Sequence, residues 1–187
     1  MCDISTYKNR IHDFAERLDP YTFSNEGIEH AEIVLSEMYE HANEFVYVYC
    51  GHLSEQLTSR PLFFNALTAY LACGGKQLKV LIADKPNPED MSPALIRILE
   101  KCKKNKSENS NDNSIECRLL KDTDGINSHF QFNEKKSIHF SVADNRAFRL
   151  EIEPEKYRAF CSFNNVEIST KLSSIFMTYF NKSQLIE

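Results

Sequence analysis

"SIHFSVADNRAFRLE", Ser137 to Glu151, decides how the second half of this chain folds. Apolar and polar residues alternate on both sides of Asp144-Asn145, and a strand turns every second side chain to the same face. Asp and Asn tolerate the left-handed backbone of a two-residue turn, so the stretch predicts a β-hairpin. Ile138, Phe140 and Val142 form the core row of the first arm, and His139, Ser141 and Ala143 form its other face. On the return arm Arg146, Phe148 and Leu150 share one face, while Ala147, Arg149 and Glu151 share the other. A histidine, an arginine and a carboxylate can therefore meet on one side of the hairpin if the register allows it.

Upstream, "EFVYVYCG" (Glu44–Gly51) and "LKVLIAD" (Leu78–Asp84) are short runs rich in β-branched and aromatic residues and read as buried strands. Tyr47 and Tyr49 share a strand face, where core packing with a polar tip is expected. Between the strands, "RPLFFNALTAYLACGG" opens on a proline and closes on Gly74-Gly75, as a helix does. Gly-Gly at a helix end is not a phosphate loop, which would open a helix. Ser92-Pro93 is the cap and first turn of the helix containing "ALIRILEKC". Nearer the start, Ile11, Phe14 and Leu18 mark a helix within residues 1–20; Ser24 is the expected cap of a second, carrying Ile28, Ala31, Leu35, Met38 and Ala42.

"IECRLL" reads as a third strand and "HFQF" as a short one before the hairpin. Residues 104–114, all polar, form an expected flexible surface loop inside the domain. Asn164, with Glu167 reaching back, is the expected cap of a last helix bearing Ile168, Leu172, Ile175, Phe176 and Tyr179. Helices alternating with strands predict an α/β fold: a mixed, largely parallel central sheet covered by helices, with a histidine-bearing hairpin and a closing C-terminal helix. The 187 residues, 42% hydrophobic and 26% charged, suit one domain over 1–187.

The net charge of −5 offers nucleic acid or an anionic membrane no bulk attraction. "KCKKNK" (Lys101–Lys106) favours a helix C-terminus and solubility. Cysteines at 2, 50, 73, 102, 117 and 161 form no C-x-x-C pair, so free thiols are expected, including Cys50 beside Gly51-His52. The six histidines are scattered, so no metal and no cofactor is expected. No apolar run reaches the roughly 20 residues that span a bilayer. A cytoplasmic chain without a secretory leader is the expectation.

In its order of pieces the chain resembles the phospholipase D-like superfamily. "EFVYVYCGHLSEQL" is similar to its early strand and turn, and "FFNALTAYLACGGKQLKVLIAD" to its helix and following strand. "HFSVADNRAFRLE" stands at its histidine hairpin and "FNNVEISTKLSSIFMTYFNKS" at its last helix. The resemblance implies a site assembled from two motifs, in two repeats or two subunits. There one histidine takes the phosphoryl group, another protonates the leaving oxygen and lysines hold the phosphate. His139 matches the histidine; Ser141 stands at the lysine, and Arg146 where the motif has aspartate. Asp144 falls two residues early, at the turn.

On this resemblance His139 is the candidate catalytic residue. Ser141, Arg146 and Arg149 are candidate phosphate ligands, and Asp144 and Glu151 supporting acids. For Arg149 and Glu151, two residues apart on one strand face, a structural ion pair is the default reading. His129 is the nearby candidate for a second histidine, though an exposed strand-end residue is the expected reading. Two readings follow. One is a catalytically degenerate binding or assembly module acting as a homodimer or as a subunit of a bacterial complex, in phage defence or nucleic-acid handling. The other is a metal-independent phosphodiesterase or nuclease using His139 from two subunits through a phosphohistidine.

Overall fold

Val46, Val48 and Cys50 turn to one side of strand β2 (Phe45–Cys50), Tyr47 and Tyr49 turn to the other, and helices cover both sides. The computed structural model describes residues 3–84, 87, 89, 91–107, 115–121, 123–130 and 138–186. Within them the helices are α1 (Ile4–Glu16), α2 (Ile28–His41), α3 (Glu55–Thr58), α4 (Pro61–Ala72), α5 (Pro93–Ser107), α6 (Thr123–Asn127) and α7 (Val166–Phe180). The strands are β1 (Phe23–Asn25), β2, β3 (Gln77–Ile82), β4 (Ile115–Leu119), β5 (His139–Ala143), β6 (Ala147–Glu153), β7 (Arg158–Ser162) and β8 (Gln184–Leu185). They form one sheet in the order β1-β7-β6-β5-β2-β3-β4-β8.

The period of two explains both layers. Val46, Val48, Leu78, Val80, Ile82 and Ala143 pack beneath α1, α2, α4 and α5. Tyr49, Leu81, Phe140, Val142 and Phe148 pack beneath α6 and α7, where Phe176 stacks on Tyr47 at 4.9 Å. Tyr47 and Tyr49 are therefore core residues, as expected. Phe176 is fully buried, and a side chain of that size is worth about 1.5–3 kcal/mol by its burial alone.

The sheet is mixed, as expected, though its parallel share is small. Only β2, β3 and β4 pair in parallel among the described strands; the other neighbours pair antiparallel. The reason is connection length. β5, β6 and β7 follow one another through short turns, and only antiparallel strands can be joined so closely. β1 and β8, with three and two residues, are too short to carry an alternating pattern.

The hairpin turns at Asp144-Asn145 as predicted, both residues having φ of 51°. Other local expectations shift. Ser24 lies in β1 opposite Phe160 and caps nothing; α2 begins after Gly27, whose φ of 90° suits glycine. Helix α5 runs to Ser107 and takes up the start of the expected loop, and residues 108–114 lie outside the described ones. His129 and Phe130 follow α6 in a turn instead of starting a strand; Gln131 and Phe132 lie outside the described residues.

The cap of α7 is one residue later than expected. Asn165 accepts from the Ile168 N–H at 3.1 Å, while Asn164 is drawn away to donate to the Leu18 carbonyl at 2.9 Å. Asn165→Ala should lower the unfolding free energy by about 1 kcal/mol, the usual worth of such a cap, in urea titration. An unchanged midpoint would show that the bond contributes nothing.

Candidate functional site at the ends of strands β2 and β5

The register sets His139 opposite Glu151 and Ser141 opposite Arg149, so these four residues share the face toward α2. The convergence left open by the sequence is realised. Glu151 Oε2 lies 3.0 Å from His139 Nδ1, and Arg149 donates to Glu151 Oε1 at 2.8 Å and to the Tyr157 carbonyl at 2.9 Å. Arg149 and Glu151 are nearly fully buried, so each charge depends on the other. Burial pushes the Glu151 pKa up, yet the His139 hydrogen bond and the Arg149 charge outweigh it and hold the carboxyl below its ordinary value.

The other imidazole nitrogen is also engaged. The Gly51 backbone N–H points at His139 Nε2, 3.0 Å away. An amide can only donate, so Nε2 is the acceptor and the ring proton sits on Nδ1, facing Glu151. Both neighbours thus fix one tautomer. Gly51 permits the approach: a Cβ there would stand 2.9 Å from Asp84 Oδ2 and 3.3 Å from His139 Nε2.

Beyond Gly51, His52 Nδ1 lies 3.9 Å from Asp84 Oδ2, with both side chains exposed. These two residues come from the C-terminal ends of adjacent parallel strands β2 and β3. Ligands of open α/β sheets gather at such ends, and "CGH" and "IAD" after strands are the signal that could have found them.

A cavity of about 620 Å³ opens beside His139 and reaches inward to Leu35, Tyr39, Val48 and Phe63. Its inner wall is apolar. Among the described residues the charged ones along it are Glu55, Glu151, Glu155 and Arg149, so carboxylates outnumber the arginine there. Ser141, buried where the resemblance expects lysine, brings no cation. Cys50, on the same wall, has its thiol pushed up to about 12 by burial and by the nearby Glu151 and Asp84 charges; it is a packing residue, as expected.

Asp144 and Arg146 are not brought to this site. They stand at the turn, five or more residues of strand from His139, which is about 17 Å at the rise of an antiparallel strand. Asp144 is occupied by the backbone N–H groups of Asn43, Glu44 and Phe45, and Arg146 by Asp144 and the His41 carbonyl. Their roles are structural, because a left-handed turn residue with a carboxylate can gather the N–H groups entering β2. His129 is not the second histidine either. It bonds the Tyr179 hydroxyl at 3.1 Å, on the α6–α7 side of the sheet, whereas His139 faces the other side.

The architecture has solved counterparts. Nuc from Salmonella typhimurium, a phospholipase D family member, superposes with a TM-score of 0.57 at 12% identity, over 89% of this chain and 99% of that one. The fold is phospholipase D-like. NucT from Helicobacter pylori gives 0.54 at 9% identity, over 89% of this chain and 99% of that one. TrmBL2, an archaeal chromatin protein, gives 0.52 at 13%, over 97% of this chain and 62% of that one. No family model and no curated protein sequence matches the chain. At these identities the phospholipase D-like likeness is one of fold. Among the described residues, no helix is long and apolar enough to cross a membrane.

Proposed function

We propose that this chain is a binding and assembly module on a phospholipase D-like fold, degenerate at its histidine, acting as a homodimer or as a subunit of a bacterial complex that handles nucleic acid. The observation that carries this reading is the Gly51 N–H on His139 Nε2 at 3.0 Å. A nucleophilic imidazole needs that lone pair, and here the backbone holds it. Among the described residues at its two motif positions no free cation faces a phosphate: Ser141 is uncharged, and Arg149 is buried against Glu151. The carboxylates lining the cavity oppose an anion further. DNA binding has a fold-level precedent in TrmBL2, an archaeal chromatin protein with a novel mode of DNA binding.

A second reading, a metal-independent phosphodiesterase using His139 from two subunits, is favoured by one feature. The Glu151 contact to Nδ1 orients the ring with Nε2 as its unprotonated nitrogen. The readings part in one experiment. The purified chain, with EDTA present, should hydrolyse bis(p-nitrophenyl) phosphate no faster than His139→Ala, and should sediment as a dimer or larger at micromolar concentration. Hydrolysis that His139→Ala abolishes would establish the second reading. A chain that stays monomeric and recovers no partner would overturn the first.

A further inference from the structure

Folding collects three metal-ligating groups that the sequence scatters. His12 comes from α1, and Glu37 and His41 stand one turn apart on α2. Glu37 Oε2 lies 3.0 Å from His12 Nδ1 and 3.2 Å from His41 Nε2, and all three ligand atoms lie within 4.8 Å of one another. We propose that His12, Glu37 and His41 form a binding site for a divalent transition-metal ion of the zinc class, which staples α1 to α2.

The distances fit the chemistry. Ligands held about 2.0–2.1 Å from a tetrahedral zinc stand about 3.3 Å apart, close to both oxygen–nitrogen separations here. The remaining nitrogen–nitrogen edge needs a modest ring rotation, and His12, with half its side chain exposed, can make it. Two imidazoles and a carboxylate are a ligand set that suits zinc, nickel or copper, and not calcium or magnesium. Glu37 is 4% exposed, so its charge is desolvated and interacts strongly with a cation placed between the histidines. The alternative occupants of the same space are two protons, one on each nitrogen facing the shared oxygen.

The fourth position opens on a recess of about 300 Å³ bordered by Glu40, Asn9 and Lys8. Glu40 or a water can complete the coordination. Lys8 opposes a cation, and its long stem lets the ammonium turn to solvent. The site has a mechanical reason as well. Helix α1 meets the core through Ile11 and Ala15, with Tyr7 and Phe14 partly buried beside them, and a metal would add a polar tie to that apolar contact.

Metal-stripped protein at pH 7.5 should take up one zinc ion in calorimetric titration with a dissociation constant in the micromolar range or below. Its melting temperature should rise with zinc and return with EDTA. His12→Gln and His41→Gln should each weaken binding by about tenfold or more, equivalent to about 1.4 kcal/mol, while leaving the metal-free melting temperature near that of the parent. Cobalt(II) should give visible d–d bands without the sulfur-to-metal band that a cysteine ligand would add. Absence of stoichiometric binding, or binding that neither glutamine variant weakens, would overturn the site; a thiolate band would place the metal elsewhere.

Discussion

Asp144→Ala is expected to lower the unfolding free energy by about 3–5 kcal/mol, read from urea titration at pH 7. The Asp144 carboxylate accepts from three consecutive backbone N–H groups: Asn43 at 2.7 Å, Glu44 at 2.9 Å and Phe45 at 3.0 Å. Each bond to a charged acceptor is worth about 1.5–3 kcal/mol, reduced where water can replace it, as it can at the exposed Asn43 and Glu44. Alanine adds a second cost of about 1–2 kcal/mol, because residue 144 has φ of 51° and a Cβ without local hydrogen bonds disfavours that region.

Two further variants separate these causes. Asp144→Asn keeps one accepting oxygen and tolerates the left-handed backbone, so it should lose about half as much. Asp144→Gly loses the bonds but relieves the backbone, and should lie between Asn and Ala. A loss below about 1 kcal/mol for alanine would show that the bridge from the hairpin turn to β2 does not hold the sheet together.

The contrast between Asp144 and Glu151 shows what was legible in the sequence. The hairpin, its left-handed turn and the sharing of a face by His139, Arg149 and Glu151 follow from a period of two and from turn chemistry, both local. Which acid meets the histidine is not local. Asp144 lies nearer to His139 in sequence and closer to the family's motif, yet the turn consumes it in binding the N–H groups entering β2. Glu151, twelve residues away, sits directly opposite because the hairpin returns in register.

Gly51, His52 and Asp84 were hidden for the same reason: only the pairing of β2 with β3 and β5 places them beside His139. The His12–Glu37–His41 cluster depends on a helix pair that no periodicity predicts. Caps were legible only to within a residue, because adjacent asparagines such as Asn164 and Asn165 are equally suited until tertiary contacts choose one.

Glu151→Gln is expected to cost about 3–5 kcal/mol at pH 7, and its effect should fade in acid. Glutamine has the shape of glutamate but presents one oxygen and one donating NH₂ where two accepting oxygens stood. Whichever way the amide turns, its NH₂ meets a donor, the Arg149 guanidinium on one side or His139 Nδ1–H on the other. The imidazole cannot adapt by moving its proton to Nε2, because that nitrogen faces the Gly51 N–H. The tautomer is locked from both ends, so one buried partner is always lost.

The sign of the pH dependence follows from the lowered Glu151 pKa. A carboxyl whose pKa is lower in the folded chain contributes stability that is fully present above its unfolded value, about 4.3, and is lost as pH falls through the folded value. The parent should therefore lose stability through this acid window more steeply than Glu151→Gln, and the two should converge at the lowest pH at which both still fold. Parallel pH profiles would mean that Arg149 and His139 do not depend on the carboxylate charge. A converging pair would identify the buried His139–Glu151–Arg149 network as an ionised element that holds β5 to β6.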